Sequence, residues 1–107
     1  MTRDELAGVV LVEVAKRCEE VETRPEPPKW KSWEWRDFRD DREYGPRYSP
    51  TWFGELSEAN RQRTLRTVYR LSEDGLIDVV KSENGRLERV RLTEEGKKAV
   101  AEMLATA

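Results

Sequence analysis

The sequence predicts a mainly α fold with a small β-hairpin, organised as a single domain over residues 1–107. Three observations carry that expectation. A capped run of apolar residues at helical spacing opens the chain, an amphipathic stretch striped with arginines starts at Glu58, and two β-rich runs flank Asn84-Gly85. Between the first two lies a Trp/Pro-rich insertion. The expected layout is an N-terminal helix at 1–23, a linking segment at 24–50, and the remaining helices with the hairpin at 51–107.

Thr2-Arg3-Asp4-Glu5 reads as a capping box, a hydroxyl at the N-cap and a carboxylate three residues on. Leu6, Val10, Leu11, Val14, Cys18 and Val21 then recur at helical spacing, while Val9, Val12 and Ala15 fall outside that stripe. So wide an apolar surface needs either a sandwiched position or a partner helix. The β-branched run from Val9 to Val12 also suits a strand. The cap and the persistence of the pattern to Val21 favour the helix, which Pro25 and Pro27-Pro28 end.

Residues 24–50 hold all the prolines and, with Trp52 just beyond, all four tryptophans. Trp33 and Trp35 share one face if the segment is a strand, Trp35 and Phe38 if it is a helix. The sequence leaves both open. Trp30, Trp33, Trp35 and Phe38 either stack on bases or line a pocket for an unspecified effector, or they supply apolar area to a core short of aliphatic residues.

Ser49-Pro50 places a hydroxyl at an N-cap and proline at N1, so a short helix should run through Trp52, Phe53 and Leu56. Ser57 caps the next helix, Glu58 to about Asp74. Here Leu65, Val68, Tyr69, Leu71 and Ser72 share one side and Arg63, Arg66 and Arg70 lie opposite, with Thr67 beside them. Gly75 should end it in the left-handed conformation. Asn84-Gly85 predicts a type I′ turn pairing Glu83 with Arg86, Lys81 with Glu88, Val79 with Val90, Asp78 with Arg91 and Ile77 with Leu92. Arg89 and Arg91 are then expected on the outer face near Arg86. Thr93-Glu94-Glu95 caps a last helix through Ala99, Val100, Met103 and Leu104.

Composition narrows the function. Charged residues make up 39% of the chain against a usual ~25%, so the core is small or part of the chain lies outside it. There is no histidine, the commonest general base, and a single cysteine, which leaves no disulfide and no Cys/His metal site. No phosphate-binding glycine loop is present. An enzyme is therefore not expected, nor a cofactor. Cys18 reads most simply as a core or interface thiol. No apolar run approaches a membrane span and the N-terminus lacks a signal-peptide pattern, so a reducing cytoplasm is the expected setting. The net charge of −2 does not announce nucleic-acid binding, so any basic surface must come from local geometry.

The stretch RTLRTVYRLSEDGLIDVVKSENGRLERVRLTEEGKKAV resembles the winged helix-turn-helix DNA-binding domains of the MarR/PadR kind of bacterial and archaeal regulator. Leu71 four residues before Gly75, the exit Asp74-Gly75-Leu76-Ile77, the NG hairpin and Leu92-Thr93-Glu94-Glu95-Gly96 carry the resemblance, which covers residues 49–104. It implies a transcriptional regulator in which the helix from Glu58 reads double-stranded DNA. Gln62, Arg63, Arg66 and Thr67 would then face base edges, Arg70 a phosphate, and Arg86 at the wing tip the backbone or minor groove. A homodimer through the wide N-terminal helix is expected, reading two half-sites. The alternative is a protein-docking module that uses the Trp-rich segment and binds no DNA. Neutralisation of Arg63, Arg66 and Arg70 by Glu55, Glu58, Asp78 or Glu88 would favour that alternative.

Overall fold

A computed structural model describes residues 2–106. In order it contains α1 (Arg3–Thr23), α2 (Ser32–Tyr44), a 3₁₀ turn (Pro50–Phe53), α3 (Glu58–Glu73), β1 (Ile77–Lys81), β2 (Leu87–Leu92) and α4 (Glu94–Thr106). The fold is mainly helical, with β1 and β2 forming one antiparallel hairpin.

Local chemistry sets the element ends. Thr2 accepts the Glu5 amide at 3.2 Å, Ser57 the Asn60 amide at 3.2 Å and Thr93 the Gly96 amide at 3.0 Å. At the end of α3, Gly75 takes φ +79°. Its amide donates to the Ser72 carbonyl and that of Leu76 to the Leu71 carbonyl, which closes the helix and turns the chain into β1. Ser49 caps the 3₁₀ turn, but that turn stops at Phe53, so Leu56 lies outside the short helix expected to include it.

The core gathers Val10, Leu11 and Val14 of α1, Val68 and Leu71 of α3, Ile77, Val90 and Leu92 of the hairpin, and Val100 of α4. Fully burying each of these side chains contributes about 1.5–3 kcal/mol. On α3 the buried face is Thr64, Thr67, Val68 and Leu71. Leu65 and Tyr69 are only half-buried, so the helix is rolled toward its threonines relative to the hydropathy pattern.

The segment read as a link contains a 13-residue helix. Trp35 and Phe38 meet edge-to-face at 5.6 Å, Phe38 is buried, and the Trp35 indole donates to the Pro28 carbonyl. Helix α2 lies on the outer face of the hairpin and corrects the expectation for Arg89. That residue is buried, ion-paired with Asp41 at 2.5 Å and donating to the Gly45 carbonyl at 2.8 Å. Asp41 also takes Arg24 at 2.8 Å, while Arg91 donates to the Glu43 carbonyl. The hairpin is thus covered by α1 and α3 on one face and by α2 on the other.

The outer register of the hairpin is as expected: Ile77 with Leu92, Asp78 with Arg91 and Val79 with Val90. The tip differs. Only Gly85 there has positive φ, and the Gly85 amide donates to Ser82, whose own amide donates to Arg86. This is a three-residue loop, which needs one left-handed residue where a type I′ turn needs two. Lys81 consequently pairs with Leu87 instead of Glu88, and a bulge at Glu88 restores the register. The bulge turns the Glu88 carbonyl to the Tyr48 amide, 2.9 Å away, and the Val90 amide donates to Pro46. Residues 46–48 therefore occupy the free edge of β2.

Candidate functional site

Helix α3 presents Gln62, Arg63 and Arg66 to solvent, with Arg70 half-exposed on the same side. Thr67 lines the groove these arginines share with α1 but is not exposed there. Its side chain is buried and its hydroxyl donates to the Arg63 carbonyl at 2.9 Å, a consequence of the roll toward Thr64 and Thr67. Gln62 donates its amide to Glu58 at 3.1 Å. Arg86 sits exposed at the hairpin tip.

Two of the four acids considered for this face are paired elsewhere, and Glu58 is held by Gln62. Asp78 pairs with Arg91 at 3.4 Å and Glu88 with Arg47 at 3.8 Å. Among the described residues, no ion pair involves Arg66, Arg70 or Arg86.

Arg3 is a functional candidate that the sequence reading passed over. A groove of about 610 Å³ runs between the first turn of α1 and α3. Arg3 and Leu6 line it from α1, and Arg63, Arg66, Thr67, Tyr69, Arg70 and Glu73 from α3. Lys81 of β1 lies 4.8 Å above the Tyr69 ring, which joins the groove to the hairpin. One signal was available: a cation at the first position of a helix opposes the helix dipole and has no local reason to be there.

The aromatic rings of the insertion do not line one pocket. Trp35 and Phe38 pack inward, while Trp30 and Trp33 form a T-shaped pair at 6.0 Å and are 71% and 65% exposed. Trp33 and Tyr44 border a polar cleft of about 560 Å³ between α2 and the hairpin. Trp52 packs against Tyr48 at 5.5 Å, with the Arg17 guanidinium over its ring. Burial pushes the Cys18 thiol pKa up, which leaves it less thiolate than an ordinary cysteine at a given pH. Among the described residues, no cluster of three His, Cys, Asp or Glu is placed to hold a metal, and no helix is long and apolar enough to cross a membrane. No family model, curated protein or solved structure matches this chain.

Proposed function

We propose that the chain is a winged helix-turn-helix domain acting as a sequence-specific, double-stranded DNA-binding transcriptional regulator. In this reading α3 is the recognition helix and the hairpin is the wing. The order of elements from the 3₁₀ turn to α4, with residues 46–48 beside β2, supports the fold. The observation that carries the function is the pair Arg66, exposed, and Arg70, half-exposed, on one side of α3 with no carboxylate partner among the described residues. Arginines held this way suit base edges and phosphates. Gln62, Arg63 and Arg66, in the earlier turns, take the bases, while Arg70 and Arg86 take phosphates. Thr67, being buried, has no part in base contact.

A homodimer belongs to the same reading, since one such domain buries little surface on DNA. Val9 and Val12 of α1, 42% and 38% exposed, and Leu104 of α4 are the apolar positions open to a second copy. Sedimentation should give a dimer at high micromolar concentration, and a monomer there would remove this part.

The test of DNA reading is affinity for selected and random duplexes at two salt concentrations. Arg66→Ala should cost ~1–3 kcal/mol on the selected site and relax one base position. Arg70→Ala and Arg86→Ala should weaken all duplexes alike and flatten the salt slope by about one unit each. Weak binding without sequence preference, untouched by all three substitutions, would refute the proposal. The exposed Trp30–Trp33 pair favours a second reading, a protein-docking surface. That reading predicts no salt-dependent duplex binding in the parent chain.

A further inference from the structure

We infer that the groove between the first turn of α1 and α3 is a phosphate clamp, with Arg3 as a cation contributed from outside the recognition helix. The DNA-reading proposal supplies the source of the phosphate, a backbone phosphodiester of the duplex.

Three features point to an anion here. First, Arg3, Arg66 and Arg70 line one groove with Arg63 beside them, and among the described residues its lining includes a single acid, Glu73. Like charges brought together this way repel unless a counter-charge arrives. Second, Arg3 occupies the first position of α1, where the exposed amides already make the helix end positive. A cation there is unfavourable for the helix by itself. The neighbouring Asp4 and Glu5 would compensate, yet neither lines the groove, which Arg3 shares with Leu6 at i, i+3 spacing. Third, Arg3, Arg66 and Arg70 make no ion pair among the described residues, although the chain carries 22 acids.

The path continues. Lys81 over the Tyr69 ring carries positive charge from the groove to the hairpin, whose tip bears Arg86. A backbone strand lying along this track meets Arg3 and Arg70 before it reaches the tip. The N-terminal turn of α1 thereby faces the nucleic acid, while the acidic remainder of that helix points along its axis away from it.

Two arms test the clamp. In the first, duplex affinity of the parent chain, Arg3→Gln and Lys98→Gln is measured between 50 and 200 mM salt. Lys98 pairs with Glu95 on α4 and serves as a charge-matched control. Each lost phosphate contact lowers the log–log slope by about 0.9, which makes the loss of affinity over this range about 3.5-fold smaller. Arg3→Gln should show that change with base preference retained, and Lys98→Gln should not. In the second arm, tripolyphosphate is titrated against the thermal midpoint. It should raise the midpoint of the parent chain and do so markedly less for Arg3→Gln.

Duplex binding with an unchanged slope in Arg3→Gln, together with no tripolyphosphate effect, overturns the clamp and leaves DNA reading standing. An Arg3-dependent tripolyphosphate effect without duplex binding upholds the groove as a phosphate site for a free polyphosphate and overturns the DNA source. Absence of both effects overturns both.

Discussion

Asp41→Asn isolates the contact that docks the insertion on the hairpin. The Arg89 side chain is 5% exposed and that of Asp41 13%, so the pair is close to fully desolvated. Removing one partner of a buried pair costs about 3–5 kcal/mol, because the other charge is left uncompensated. Two features reduce that figure here. Arg89 keeps its bond to the Gly45 carbonyl, and asparagine keeps one acceptor oxygen. The second pair of Asp41, with Arg24, is half-exposed on the arginine side and adds under about 1 kcal/mol. We therefore expect a loss of about 2–3 kcal/mol, read as a lower urea midpoint at unchanged m-value. The double variant Asp41→Leu/Arg89→Met should recover most of it, since an apolar pair of similar size avoids the desolvation cost. A loss below about 0.5 kcal/mol in Asp41→Asn would mean that Arg89 is hydrated and that α2 does not cover the hairpin.

Tyr48→Phe should stabilise the chain at neutral pH by about 1 kcal/mol in the same urea assay, because the buried Tyr48 hydroxyl has no hydrogen-bond partner among the described residues. Burial also raises the Tyr48 pKa above the ordinary 10.0, so the folded state holds this proton longer than the unfolded chain and stability falls as pH rises past that value. The phenylalanine variant should lose stability less steeply there, whereas an unchanged alkaline slope or a clear loss at neutral pH would count against an orphaned hydroxyl. Gly96→Ala should lower the thermal midpoint, because a Cβ at Gly96 runs into the Leu76 carbonyl oxygen and comes within 3.0 Å of Leu92. That overpacking costs about 1–3 kcal/mol and outweighs the ~1 kcal/mol gain in helix propensity. A raised midpoint would show that α4 does not pack closely on the turn before β1.

The parts of this fold legible in the sequence are those governed by neighbours within four or five residues. The Thr2, Ser57 and Thr93 caps and the Gly75 stop depend on one side chain and one turn of backbone. The outer register of the hairpin, expected from a type I′ turn, holds although the turn is of another type, because the Glu88 bulge absorbs the extra loop residue. Two features were not legible. Asp41 and Arg89 are 48 positions apart, and nothing in either local stretch says that they meet. On α3, hydropathy placed Leu65 inward and left Thr67 at the edge of the exposed face. A threonine can nonetheless face the core at little cost when its hydroxyl returns to the preceding turn, as that of Thr67 does to Arg63.

The same distinction explains how a chain of net charge −2 presents a basic face. Its cations divide by partner. Arg17, Arg24, Arg47, Arg89 and Arg91 are spent on carboxylates within the fold, while Arg3, Arg66, Arg70 and Arg86 are not, among the described residues. Helix α2 and Asp78 engage Arg89 and Arg91 of the hairpin, which leaves Lys81 and the tip residue Arg86 without an ion pair among the described residues. The acids of α1 beyond its first turn, Glu13 to Glu22, lie ten or more residues from Arg3. At 1.5 Å per residue that separation is about 15–28 Å, roughly two to three and a half Debye lengths at physiological salt. Their charge is therefore largely screened at the groove. Among the described residues, the potential an approaching anion meets is set chiefly by Arg3, Arg66 and Arg70 and by Glu73, not by the total.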